Sequence, residues 1–300
     1  MYSMTGFASK TTSVSVDGFD LNLEWDIRSV NGRGLDIRVR VPEGIGFIEK
    51  KLRDRLSETV TRGNVTVTLK AGFRGAAAIG MIDHAVLDSV LSGLTAVTAK
   101  AQSIGVQLSA PSALDVLAWR SVLPAGHDFA AFDPANLGRI VAQDFEGLLQ
   151  DFNIMRHEEG QKLSQVLDGM LDQIAGLTIA ARDLLPERRQ ALAESLQKAA
   201  AHVGDAVRPD GVRLEQELAL IAIKADVTEE LDRLDAHCAA ARELLQKDGG
   251  VGRRLDFLTQ EFNREANTLC SKAQHIGLSR IGLELKAVID QMREQVQNLE

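Results

Sequence analysis

Cysteine is nearly missing from this chain of 300 residues. Cys238 and Cys270 are the only two, and they give neither a disulfide framework nor a metal-ligand spacing. Reduced thiols in a cytoplasm fit them best. Aromatic residues make up only 4%, so the core must be built from Leu, Ile, Val and Ala, which favours helix packing. No uncharged apolar run approaches the ~20 residues that span a bilayer. The opening Met1–Gly6 lacks the basic region and apolar stretch of a secretory signal. Repeats and low-complexity tracts are missing too. These absences predict a cytoplasmic protein that leaves membranes alone.

Positive charge is also in short supply. The formal net charge of −8 argues against binding nucleic acid by bulk electrostatics. The charge is uneven, however: residues 1–75 carry 12 Lys/Arg against 9 Asp/Glu, a balance of +3, which leaves −11 for the rest. A basic head on an acidic body allows a local phosphate-binding surface. It also allows a carboxylate-rich site that needs a cation before it can accept a polyanion.

What is present reads as α+β: a small N-terminal sheet unit, then a long, mainly helical body ending in an antiparallel helical hairpin. The expected division is 1–150, sheet plus helices; 151–211, connecting long helices; and 212–300, a C-terminal helical domain. Leu21–Arg28 and Leu35–Val41 alternate apolar and polar residues, as strands do. Asn31-Gly32, with Gly34 after it, predicts a turn between them through its tolerance of positive φ. Asp17-Gly18 is a similar turn signal. Phe47, Leu52, Leu56 and Val60 suit a short amphipathic helix ended at Arg62-Gly63, and Val65–Leu69 a further strand.

Helical spacing follows over Met81–Ile104 and Ser112–Trp119, with a loop around Pro124-Ala125-Gly126. It resumes from Asn136 to His202, interrupted near Leu185-Pro186. After a linker-like Gly204–Gly211, the apolar period predicts one long helix over Val212–Lys247, from Leu214 and Leu218 to Leu245. Asp248–Gly252 is a glycine-rich break. Leu255, Leu258, Phe262, Leu269 and Ala273 form the next seam, and Ile281, Leu285, Val288, Met292 and Val296 the last. Short connections favour antiparallel neighbours.

Off the first of these seams lie Asp226, Glu229, Glu230, Arg233 and His237, mostly on one flank. Across the glycine break come Gln260, Glu261, Arg264, Glu265, Asn267, Thr268, Ser271 and Lys272. A hairpin would bring the two polar flanks face to face. Carboxylates converging with one imidazole make a site for a hard cation, and nearby Arg and Lys would hold phosphate oxygens. Solvated ion pairs along exposed helix faces explain the same residues. Asn267 and Thr268, poor helix formers inside a helix, weigh against that reading. In the sheet unit, Arg38 and Arg40 share one strand face, which fits either an RNA backbone or cross-strand pairs with Glu24, Asp26 and Asp36.

Other motifs fail. His157-Glu158-Glu159-Gly160-Gln161 has Gln161 where a zinc-protease helix needs its second histidine. Gly250-x-Gly252 follows a helix and lacks a third glycine. His84, His127, His202 and His275 are isolated, and Cys270 reads as a packing residue.

Several segments together resemble the YicC/YloC-like family. Ser3-Met4-Thr5-Gly6-Phe7, Arg28-Ser29-Val30-Asn31-x-Arg33 and Arg62-Gly63 match its N-terminal signature. Met155-Arg156-x-x-Glu159-Gly160 matches a mid-chain one. Asp226-x-x-Glu229-Glu230-x-x-Arg233-Leu234-x-x-His237 and the stretch from Leu255 to Lys272 match its C-terminal region. The resemblance implies a metal-dependent endoribonuclease that cuts single-stranded or structured RNA as a ring-like homo-oligomer, a hexamer being the ring in view. Gly32 departs from it, standing where the family usually has His.

Chemistry placed on the matching positions gives Glu230, His237, Glu261 and Arg264 as catalytic, and Glu229, Glu230, Glu261 and Glu265 as ligands of Mn²⁺ or Mg²⁺, with His237 as ligand or proton carrier. Arg28, Asn31, Arg33, Arg62, Arg233 and Lys272 would bind RNA. The rival expectations are a non-catalytic RNA-binding adaptor that modulates a ribonuclease, and a purely structural helical oligomer.

Overall fold

A computed structural model describes residues 1–16, 19–73, 82, 84–119, 122, 129, 132–206, 216, 219–221, 223–247 and 249–300. The expected turn at Asp17-Gly18, the loop around Pro124-Ala125-Gly126, Pro209-Asp210-Gly211, and Leu214 and Leu218 of the predicted long helix lie outside them. The chain is α+β and forms two compact units, Thr5–Met155 and Met1–Met4 with Arg156–Glu300. No helix among the described residues is long and apolar enough to cross a membrane.

The first unit carries a four-stranded sheet of β1 (Gly6–Val16), β2 (Phe19–Val30), β3 (Leu35–Arg40) and β4 (Gly63–Phe73), in the order β1-β2-β4-β3. β1 with β2 and β2 with β4 are antiparallel, whereas β3 lies parallel to β4. A parallel neighbour needs a crossover. Here it is a 3₁₀ turn at Gly46–Ile48 and the helix α1 (Glu49–Thr59). The expected turn at Asn31-Gly32 therefore closes no hairpin, because β4 separates the two strands it joins. Among described residues, positive φ occurs at Gly44, Gly63, Gly105, Gly249 and Gln274 instead. Gly32 has another role. Arg62 Nε donates to its carbonyl at 3.1 Å, and a Cβ there would approach the Gly63 backbone to 3.2 Å.

Alternate residues of β2 (Leu21, Leu23, Trp25, Ile27) point into a core shared with Leu52 and Leu56 of α1. Phe145, Leu148 and Phe152 of α4 (Pro134–Asp183) complete it. Phe47, expected on the buried face of α1, is half exposed, and Ile45 and Ile48 fill its place. Trp25 Nε1 donates to Asp144 at 2.9 Å and Lys10 Nζ at 2.7 Å, so this buried carboxylate is satisfied on both oxygens. β1 went unseen in the sequence because its outward positions are Ser, Thr and Phe and its inward ones include Lys10 and Thr12. Two further helices, α2 (His84–Ser103) and α3 (Ala113–Leu117), match the expected periods, with Ser112 capping α3.

The boundary between the units falls inside α4. Beyond it come α5 (Leu185–Ala206), α6 (Thr228–Leu245), α7 (Gly252–Lys272) and α8 (Ile276–Val296). Leu231, Leu234 and Ala241 of α6, Leu255, Phe262 and Leu269 of α7, and Leu285, Ile289 and Met292 of α8 share one core.

One long helix over Val212–Lys247 is not what forms. α6 begins at Thr228, because Asp226 accepts from the Thr228 amide (3.1 Å) and hydroxyl (2.7 Å). Buried Arg188 takes the Ala225 carbonyl, together with those of Lys272 (2.7 Å) and Ala273 (2.6 Å). Carbonyls drawn off in this way cannot continue a helix ladder.

The opening residues lie against residues 298–300. Met4 N donates to Asn298 O at 2.8 Å, and Glu300 N to Tyr2 O at 3.0 Å. Arg156, 1% exposed, donates to Ser3 O at 2.8 Å and pairs with the Glu300 side chain. A Cβ at Gly160 would meet Met1 O at 2.8 Å, and one at Gly252 would collide with Leu299 O. Ser3 and Met4 of the first signature, and Arg156 and Gly160 of the mid-chain one, are therefore packing residues in this unit.

Candidate metal centre on two antiparallel helices

α6 and α7 run antiparallel, so contacts move toward the start of α7 as they advance along α6. Near the start of α6, Lys272 Nζ meets Glu230 Oε1 at 2.8 Å and the Asp226 carbonyl at 3.1 Å. One turn on, Arg233 reaches Glu265 at 3.3 Å and also pairs with Glu229. A further turn brings His237 beside Glu261 and Glu265. One ligand atom from each of these three residues lies within 4.8 Å of the others. The spacing of three to four residues keeps Glu230, Arg233 and His237 on one flank, while Leu231, Leu234 and Cys238 turn inward.

Burial sets the electrostatics of this flank. Glu265 is 3% exposed and Glu230 4%, and a buried carboxylate needs a cationic or hydrogen-bonding partner. Arg233 supplies one to Glu265, and that bond, helped by Glu229, raises the guanidinium above its ordinary pKa. Lys272 supplies one to Glu230 Oε1. Glu230 Oε2 and His237 Nε2 are buried and have no hydrogen-bond partner. The His237 ring is held edge-on to Phe262, with centroids 5.6 Å apart. Orphaned buried polar atoms are uncommon enough to ask for an occupant. One imidazole nitrogen with two carboxylates is a donor set that suits Mn²⁺ or Mg²⁺.

The remaining predicted residues divide clearly. Arg264 lies 3.9 Å from Glu261 and is 71% exposed, so its guanidinium is open to solvent. Glu229 stands outside the three-residue group, tied to Arg233. Several side chains that looked distinctive in sequence make local bonds: Asn267 to Asn263 at 2.7 Å, Thr268 to the Arg264 carbonyl, and Ser271 to the Thr268 carbonyl. Arg28, Asn31 and Arg33 are exposed and Arg62 half-buried; all four belong to the sheet unit.

Arg188 had no sequence signal, since Glu187-Arg188-Arg189 looks like surface charge. It ties the segment before α6 to the end of α7, and so holds Lys272 beside Asp226 and Glu230. Burial lowers its pKa from the ordinary arginine value.

Comparison with known families decides where the chain belongs. Residues 1–165 match the N-terminal region of the YicC-like endoribonucleases, and residues 181–300 match their C-terminal region. This chain belongs to the YicC-like endoribonuclease family. A protein of Haemophilus influenzae named probable endoribonuclease YicC is 36% identical over 305 residues, covering 100% of both chains. Another of that name, from Clostridioides difficile, is 28% identical over 303 residues, covering 99% of both. Within this YicC-like chain, His237, Glu261 and Glu265 all fall in the C-terminal match.

Proposed function

We propose that this chain is a metal-dependent endoribonuclease whose reaction centre is the α6–α7 flank. The observation carrying the proposal is the meeting of His237, Glu261 and Glu265 within 4.8 Å, beside a buried imidazole nitrogen that has no hydrogen-bond partner. Family membership directs the chemistry to RNA. His237 Nε2 and the carboxylates of Glu261 and Glu265 would hold Mn²⁺ or Mg²⁺, with the unbonded oxygen of Glu230 as a further acceptor on the flank. A bound cation supplies Lewis acidity toward a phosphodiester oxygen and offsets the acidic surroundings.

The chain's own groups do the rest. Arg264, exposed beside Glu261, reaches a phosphate oxygen of the incoming strand. Glu261 is the less buried of the group's two carboxylates, so the oxygen it does not give to the cation would take a proton at the scissile phosphate. Arg233 and Lys272 are held by Glu265 and Glu230, so their charges are fixed before substrate arrives. Glu229 acts through Arg233. Arg28, Asn31, Arg33 and Arg62 bind RNA on the sheet unit. The protein works in the cytoplasm as a homo-oligomer, which light scattering on the purified protein checks.

The test uses purified protein and a short RNA. Cleavage should disappear in EDTA and return with Mn²⁺, and Glu261→Gln or His237→Asn should slow it by about 10²-fold or more. Unchanged cleavage in both variants would remove this centre. RNA binding with no cleavage under any metal would favour the adaptor role.

A further inference from the structure

The face of the sheet turned away from the core carries its own pattern. Strand register fixes which outward residues stand side by side. Phe7 of β1 pairs with Arg28 of β2, Arg28 with Thr66 of β4, and Thr66 with Arg38 of β3. These four make one row across the whole sheet. Phe7 is 48% exposed, the side chain of Arg38 is 69% exposed, and Arg28 is exposed.

The rows on either side differ. Val30, Asn64 and Asp36 form the row toward the Asn31–Arg33 connection, and Ser9, Asp26, Thr68 and Arg40 the row beyond. The Phe7 row alone combines two guanidinium groups with an aromatic ring and holds no carboxylate. Asp36 steadies Arg38 from the adjacent row, accepting from its Nε at 3.2 Å. A shallow depression of about 350 Å³ opens beside the row, floored by Asn64 and Thr66 between Arg28 and Arg38.

About half of the Phe7 ring faces water rather than core, which forgoes part of the free energy of burial. A base laid on that ring removes the cost, because every base has a π-face and stacking tolerates any sequence. Guanidinium groups on the next strands then meet the phosphates, and Asn64 and Thr66 offer hydrogen bonds to base or sugar. A flat sheet suits splayed, unstacked bases and offers nothing that enters the groove of a duplex. Strands lie about 4.8 Å apart, so the row is wide enough for a few nucleotides.

We propose that the Phe7–Arg28–Thr66–Arg38 row is a platform for single-stranded RNA, with Phe7 stacking on a base and Arg28 and Arg38 holding the backbone. This rests on the endoribonuclease reading for its ligand class but not on the α6–α7 centre. To the RNA contacts expected from sequence, Arg28 and Arg38 included, it adds Phe7 and Thr66.

The test is fluorescence anisotropy with the full chain in EDTA, using a labelled unstructured RNA and a blunt RNA duplex over a series of salt concentrations. Phe7→Ala and Phe7→Leu should each weaken single-strand binding by about 5- to 100-fold, and Phe7→Tyr should restore it. Arg28→Gln and Arg38→Gln should each lower the salt slope by about 0.7. Duplex binding should stay as in the parent for all five. Parent-like binding by Phe7→Leu would overturn the platform while leaving RNA as the substrate. Binding that responds to Arg28→Gln but equally on duplex would overturn it in favour of general phosphate contact. A parent chain that cuts RNA with Mn²⁺ yet binds no single strand at low salt would overturn it too. No cleavage and no binding by the parent would instead remove the endoribonuclease reading beneath it.

Discussion

His237 and Cys238 are neighbours on α6 with opposite surroundings. His237 turns to the polar flank, where its ring lies beside Glu261 and Glu265. Cys238 turns to the core, 3% exposed, and burial pushes its thiol up to about 11 from an ordinary 9.0. The sign is that of a raised group: the neutral thiol is favoured in the fold. Its contribution is complete below pH 9 and fades as pH rises toward 11. Iodoacetamide at pH 8 should therefore modify Cys270 first and leave Cys238 intact until the chain unfolds, as peptide mass mapping will show. Early labelling of Cys238 would place α6 wrongly. Arg156 belongs to this scale too. Burial lowers its pKa to about 10, and the Glu300 carboxylate is its counter-charge. Arg156→Met leaves that carboxylate without its guanidinium and should cost roughly 3–5 kcal/mol, read as a fall in the urea midpoint.

Between elements, the instructive case is where α6 begins. Apolar periodicity runs on past residue 221 without a visible stop, so sequence alone predicts a helix from Val212. The break at Ala225–Val227 is made by Arg188, a residue of α5 that no local pattern connects to it. Sheet order is similar. Alternation identified β2, β3 and β4 as strands, but a parallel β3–β4 pair depends on where α1 packs, which lies beyond the reach of period-2 reading. The hairpin of α6 and α7 was readable, because two seams and a glycine break leave few arrangements. Its consequence, facing polar flanks, was readable with it. Which residues meet was not: Glu229 and Glu230 looked equivalent to Glu261 and Glu265 until the helix crossing sent them to Arg233 and Lys272.

Arg188→Met should lower the melting temperature and loosen the start of α6, with faster amide exchange at Thr228 and Glu229. Exchange unchanged from the parent would deny Arg188 its role. Asp226 adds a pH dependence of known sign. The Thr228 hydroxyl and amide lower its pKa below 3.8, so its hold on α6 is present above that value and disappears as pH falls through the depressed one.

Across the whole molecule, the family match covers both halves, yet its signatures do different work. Ser3-Met4 and Arg156-x-x-x-Gly160 lock the opening residues to residues 298–300, and Gly252 is glycine because the Leu299 carbonyl leaves no room for a Cβ. The 255–272 stretch supplies Glu261 and Glu265 to the proposed cation site. A cation bound only by the folded chain must also stabilise it. At a hundredfold excess over its dissociation constant, Mn²⁺ should add about 2.7 kcal/mol, seen as a higher melting temperature that EDTA reverses.

The most direct measurement is electron spin echo modulation of Mn²⁺ added to the metal-free protein. The parent chain should give a modulation from one imidazole nitrogen, lost in His237→Asn while Mn²⁺ still binds, more weakly, through Glu261 and Glu265. An imidazole signal that survives His237→Asn, or Mn²⁺ that stays aqueous beside the folded parent, would contradict the proposed cation site.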